Sequence, residues 1–278
     1  MKRTIEIACY MFLAVLFLPL VALLVPFIML TRHYSRRRNV KVGLAVSGRW
    51  PDNLQYARFP YDLALFRAGA QVITIKPSCG INLREIVSGL DALLLTGGED
   101  IDPELYDAPR HLANLINSPR DKLELQLLDF AAELDIPVLA VCRGAQLLAV
   151  KYGGHLVNIE PDNDDIHSFR ISGMIKFSGH HVDVMSDSLL SKIFPAPGLM
   201  TNSIHHQCIA EAGLLRVSAR SQDDCIEGVE HPEYNFMIGV QWHPELRALF
   251  ERSHQKLFNA LVQAGKNRKL KSDKAVKR

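Results

Sequence analysis

Cysteine is scarce in this chain, and none of it is spaced for pairing. The five thiols, Cys9, Cys79, Cys142, Cys208 and Cys225, are an odd number, widely spaced and without a CxxC pair. That excludes a disulfide framework and fits a reducing compartment. Internal repeats and low-complexity runs are also missing, which leaves one domain of catalytic size. The net charge is only +2, yet it is unevenly placed. Residues 1–41 carry seven Lys/Arg against one acid, and so do residues 265–278, which leaves the body at 42–264 with a charge of −10. An acidic body argues against nucleic acid as the main partner.

Formal charge is absent altogether from residues 7–30, "IACYMFLAVLFLPLVALLVPFIML". Twenty-four such residues are enough to cross a bilayer with some tilt, and the prolines at 19 and 26 are tolerated in membrane spans. The run is too long for the apolar core of a signal peptide, and no small-x-small cleavage site follows it. An uncleaved single-pass anchor is expected. Lys2, Arg3 and Glu6 flank it on one side and Arg32, Arg36, Arg37, Arg38 and Lys41 on the other. The more basic flank stays cytoplasmic, which places the body there. The expected layout is a short flank at 1–6, an anchor at 7–30, a basic linker at 31–41, a domain of catalytic size at 42–264 and a basic, disordered tail at 265–278. That tail could lie on anionic lipid headgroups or stay solvated.

The body opens with short apolar runs, "VGLAV", "QVITI", "DALLL" and "IPVLAV", separated by helix-like stretches such as 61–68 and 121–134. Runs of this kind, poorly alternating, signal a parallel sheet covered on both faces. Later runs, "HHVDVM", "LLRVSARS", "CIEGVE" and "FMIGVQW", look like antiparallel additions at one sheet edge, and a last helix is expected at about 246–264. In open α/β sheets ligands bind beyond the carboxyl ends of the strands. Three segments converge there: Cys142 in "AVCRGAQ", the glycines of "TGGED", and "VQWHPE".

Cys142 stands between a strand and a helix, where the helix N-terminus favours a thiolate. Gly144 permits close backbone approach, as in a nucleophile elbow, and the Arg143 N–H can face a developing oxyanion. His243 offers a base and Glu245 an orienting carboxylate, with Pro244 stiffening the backbone between them. An HPE tripeptide alone could be a surface turn, and paired glycines alone could be a turn as well. Beside a thiol, Gly97 and Gly98 offer open backbone N–H groups. His180, His181, His205, His206 and Cys208 are not expected to form a metal site, because adjacent histidines on an extended segment face opposite ways. Asp102 and Tyr106 in "DPELY" are expected to fix a helix start and a packing contact.

Together "AVCRGAQLLAVKYGG", "DALLLTGGEDIDPELY", "SPRDKLELQLL", "NSIHHQ" and "IGVQWHPE" resemble the class I glutamine amidotransferase-like superfamily. Within it they are most similar to the γ-glutamyl-γ-aminobutyrate hydrolase group, peptidase family C26. The resemblance covers roughly residues 42–262 with every block in order. It implies a flavodoxin-like α/β fold, a central mostly parallel sheet with antiparallel edge additions. It also implies Cys142 as nucleophile, His243 as base and Glu245 as orienter, with the Gly98 and Arg143 backbone as the oxyanion hole. Gly97, Gln146, Ser203, His205, His206 and Gln207 would lie against a small γ-glutamyl substrate. The implied chemistry is hydrolysis of an amide on the γ-carboxyl of glutamate, without metal or organic cofactor. A homodimer is left open, as are two other roles: a glutaminase subunit serving a separate synthetase, and an inactive scaffold. The Arg143 side chain is a further candidate to meet a substrate carboxylate. The region "SGRWPDNLQYARFPYDLALFRAGAQVITIKP" matches loosely and could shape the leaving-group pocket.

Overall fold

The computed structural model describes residues 38–48, 55–77, 82–159 and 178–276. The expected anchor at 7–30 lies outside the described residues, as do Cys9, Trp50 and Cys79. Among the described residues no helix is long and apolar enough to cross a membrane.

The apolar runs do become strands: β1 (Val40–Ala45), β2 (Ala70–Ile75), β3 (Ala92–Leu95) and β4 (Val138–Val141). β1 lies between β2 and β3, β3 pairs with β4, and all these pairings are parallel. The chain reaches β11 (Met237–Val240) much later and lays it parallel to β4. Beyond β11 the sheet turns antiparallel through β10 (Ile226–Glu230), β9 (Arg216–Ser221), β6 (Ser178–Val184) and β7 (Gly198–Ser203). β5 (His155–Asn158) pairs with β8 (Gln207–Glu211), which joins β10 off the main path. The sheet is therefore mixed, parallel where the site forms and antiparallel at one side. β5, β7 and β8 were not legible as strands, because each is short and polar residues occupy buried as well as exposed positions, among them the buried Thr201, Asn202, Ser203 and Gln207.

Both faces of the parallel part are buried. Leu94, Leu139, Val141, Ile238 and Val240 pack on one side with α1 (Gln55–Ala68) and α7 (Arg252–Val276). Leu93, Leu95, Val138, Ala140 and Met237 pack on the other with α3 (Ser118–Glu133) and α4 (Arg143–Lys151). Alternate residues of one strand thus serve opposite layers, which is why these strands read as continuous apolar runs. The remaining helices, α2 (Leu83–Ser88), α5 (Leu189–Ile193) and α6 (Pro244–Arg247), are short. Asp102 does cap a helical turn, accepting from the Glu104 N–H, and Tyr106 is buried.

The stretch expected as a disordered tail is helical as far as Val276, continuing a helix that starts at Arg252 rather than 246. Its charges are not all solvated. Arg268 donates to the Leu134 carbonyl at 3.0 and 3.1 Å and to the Leu90 carbonyl at 3.3 Å. Lys269 donates to the Asn39 carbonyl at 2.6 Å. Gly265 lets the helix come close, since a Cβ there would lie 3.0 Å from the Asp91 oxygen. Basic side chains that reach strand-start carbonyls hold this segment in place. Arg268→Ala is expected to lower unfolding stability by about 1–3 kcal/mol, read by urea denaturation. An unchanged midpoint would show that these contacts do not persist in solution.

Candidate active site

Cys142 occupies the corner between β4 and α4 at φ 52°, ψ −109°. A side chain in that region costs about 1–3 kcal/mol, so the surroundings must hold it. The Cys142 N–H donates to the Val240 carbonyl at 2.7 Å, and its own carbonyl accepts from Gln146 N–H at 3.1 Å. Gly144 makes the turn feasible: a Cβ there would sit 2.8 Å from the Leu95 oxygen. The corner therefore presents a largely buried thiol at the N-terminus of α4.

β11 delivers the partners. Gln241 donates through Nε2 to the Cys142 sulfur at 3.7 Å. His243 also hydrogen-bonds the thiol, while its Nδ1 lies 2.7 Å from Glu245 Oε1. His243 stands at the N-cap position of α6, Pro244 opens the helix, and Glu245 falls in its first turn. The His243 N–H donates to Asn202 Oδ1 at 3.1 Å, fixing the residue from β7. Burial alone would disfavour the charged imidazole. The carboxylate of Glu245 and the sulfur of Cys142 outweigh it and raise the His243 pKa well above 6.5. The arrangement sets an imidazole against the thiol and a carboxylate against the imidazole.

Gly97 and Gly98 follow β3 and complete the corner. A Cβ on Gly97 would lie 2.8 Å from His243 Cε1 and 3.5 Å from Cys142 Cβ, so only glycine fits between them. Its N–H is not open as expected, because it donates to the Tyr61 hydroxyl at 3.2 Å. Gly98, at φ +153°, would carry a Cβ 2.1 Å from Arg120 Nη1. Tyr61, on α1, is buried. Its hydroxyl is kept protonated by burial and by the nearby Glu245 carboxylate, with a pKa pushed well above 10. Nothing in "FPYDLALF" separates this tyrosine from an ordinary core residue. It does lie in the loosely matching region expected to shape the pocket.

The Arg143 side chain does not reach into the site. Its guanidinium is buried against α3, paired with Asp121 and Glu124, so only its backbone is available to a substrate. The "NSIHHQ" block is similarly committed. Ser203 is buried. Gln207 donates through Nε2 to the Leu112 carbonyl and to Asn158 Oδ1, both at 3.1 Å. Gln146 donates to the Gln207 carbonyl at 3.0 Å, tying α4 to β8. His205 is buried, with Nδ1 3.0 Å from that same carbonyl and Nε2 3.6 Å from Glu227. His206 is half-buried and meets Asp100 Oδ2 at 3.3 Å and Asn114 Nδ2 at 3.2 Å. Adjacent histidines do face opposite ways. His180 also reaches Glu227, at 3.1 Å, and although burial opposes ionisation, the two histidines hold the Glu227 carboxyl at about 2. Among the described residues no three His, Cys, Asp or Glu side chains are arranged to hold a metal ion.

Glu245→Gln removes the carboxylate that opposes burial at His243. Its imidazole should therefore titrate at lower pH than in the wild type, measured by NMR of the ring protons. An unmoved midpoint would mean that Glu245 does not set the charge of His243. In the wild type the raised value carries stabilisation that is present below pH 6.5 and lost as pH rises through the folded pKa.

The model of the Peptidase C26 family matches residues 42–245. The chain is 31% identical over 212 residues to the glutamine amidotransferase-like protein YvdE of Lactococcus lactis, covering 75% of this chain and 89% of that one. It is 30% identical over 194 residues to the γ-glutamyl-γ-aminobutyrate hydrolase of Escherichia coli K12, covering 66% of this chain and 74% of that one. The glutaminase domain of Trypanosoma brucei CTPS, solved with bound acivicin, shares the fold at a TM-score of 0.56 and 15% identity, covering 82% of this chain and 94% of that one. The matched span includes Gly97, Gly98, Cys142, His243 and Glu245, and the chain belongs to the Peptidase C26 family.

Proposed function

We propose that this hydrolase cleaves the amide on the γ-carboxyl of glutamate in a small γ-glutamyl compound. The observation that carries the reading is the strained Cys142 hydrogen-bonded to His243, itself held by Glu245. The Cys142 thiolate attacks the γ-carbonyl carbon, and the electron pair of the carbonyl moves to its oxygen. N–H groups of Gly98 and Arg143 stabilise that oxyanion. His243 then gives its proton to the leaving amine as the C–N bond breaks, leaving a γ-glutamyl thioester. Water, losing a proton to His243, attacks the thioester and releases glutamate and the thiolate. The substrate class is supported by the name of the Escherichia coli relative.

Tyr61 belongs to this chemistry as a neutral hydroxyl beside Glu245. The body is held at a membrane by residues 7–30 and faces the cytoplasm, with the basic stretch from residue 265 beside anionic lipid. The uncharged run and its arginine-rich flank support that placement.

Cys142→Ala should abolish release of glutamate from a panel of γ-glutamyl amides, with unchanged circular dichroism and thermal midpoint. Retained turnover would overturn the site. Wild-type turnover of glutamine alone, with none of the other γ-glutamyl amides, would favour a glutaminase serving a separate synthetase. The full chain should sediment with membranes and resist carbonate extraction, and release into the supernatant would overturn the anchor.

A further inference from the structure

An oxyanion hole built from Gly98 and Arg143 draws its two donors from segments that follow different strands. One lies beyond β3 and the other beyond β4. Backbone pairing fixes the strands, but the donors sit past the ends of that pairing. Something else must set their separation, and α3 supplies it.

Arg120, in the first turn of α3, is fully buried and spends its guanidinium on the glycine loop. Nη2 donates to the Thr96 carbonyl and Thr96 Oγ1, both at 2.9 Å, and to the Gly97 carbonyl at 3.0 Å. Nη1 donates to Glu99 Oε2 at 2.8 Å. Its Nε donates to Glu124 Oε1, one turn further along α3, at 2.8 Å. The other oxygen of Glu124 accepts from Arg143 Nη1, and Asp121 accepts from Arg143 Nη2. Glu124 therefore gives one carboxylate oxygen to each arginine. It joins the clamp on the Thr96–Glu99 loop to the first residue of the Cys142 helix. Gly98 is part of the same fit, because any side chain there would collide with Arg120.

Buried ion pairs contribute little net stability, since desolvation offsets their attraction. What this one supplies is position. We propose that Glu124, with Arg120, is a positioning pair that holds the Gly98 and Arg143 N–H groups at the spacing an oxyanion requires. The proposal rests on the hydrolase reading for the two donors it assigns and for the reaction they serve. A displacement of about 1 Å at such donors costs on the order of 100-fold in rate, while leaving the thiol itself in place.

The test separates donor geometry from thiol reactivity, using the full chain. The p-nitrophenyl acetate probe acylates Cys142 through a tetrahedral oxyanion: a C–S bond forms and p-nitrophenolate leaves. Iodoacetamide alkylates the same thiol by displacing iodide, with no oxyanion. Glu124→Gln keeps the shape but turns an amide NH2 toward one arginine. It should slow acylation about 30-fold while alkylation stays within about 2-fold of wild type. Folding is read by circular dichroism. Unchanged acylation in the folded variant overturns the proposal, and so does an equal fall in both rates, which would mark a general effect on the thiol corner. If Glu124→Gln does not fold, Arg120→Lys is read the same way, because a lysine keeps the charge but cannot reach Glu124, Glu99 and the loop carbonyls together. Failure of both to fold shows a role in folding and overturns the proposal as well. Wild-type turnover of γ-glutamyl amides is measured separately. Its absence removes the proposed reaction, while the acylation-to-alkylation ratio still decides the role of the pair.

Discussion

The left-handed backbone at Cys142 is the constraint around which the rest of this structure is arranged. A cysteine gains nothing locally from φ 52°, so the conformation persists only because its neighbours leave no alternative. The Val240 carbonyl captures its N–H, Gly144 lets α4 press against β3, and the two apolar layers clamp the strands on either side. The large sheet thus does more than bury leucine. It supplies the rigidity that keeps one thiol pointed at one imidazole.

Charge is managed around that corner by burial with partners. Burial alone would raise the Glu99 carboxyl, yet the Ser47 hydroxyl, Arg120 and Asn117 hold it at about 2. Asn117 stands at the N-cap position of α3 but does not cap it; its amide donates to Glu99 and Ser47 instead. Asp121 shows the opposite balance, since burial raises its carboxyl in spite of Arg143. Both carboxylates are already partnered, Glu99 by Arg120 and Asp121 by Arg143.

The parallel strands, the corner cysteine and the "WHPE" partners were legible in sequence because each is a local pattern. An apolar run ending in Cys-Arg-Gly, or a histidine two residues before a glutamate, needs no distant information. Tyr61 and the Arg143 side chain were not legible, for a shared reason. Each is set by packing between segments far apart in the chain, Tyr61 against Gly97 and Arg143 against α3. The "NSIHHQ" block was recognised as a unit, but which of its side chains are spent on the protein itself depends on β5 and β10, strands it does not contain. The tail was misread because its lysines and arginines match a solvated terminus, while the carbonyls that receive Arg268 and Lys269 belong to residues more than a hundred positions earlier.

Those carbonyls also mark one end of the sheet. Lys269 meets the chain at Asn39, immediately before β1, and Arg268 meets Leu90 and Leu134, just ahead of β3 and β4. The described body thus begins, and its last helix docks, at the amino ends of the parallel strands. Cys142 lies at their carboxyl ends. A grip on the molecule at Asn39 is therefore a grip at the end of the strands opposite the thiol.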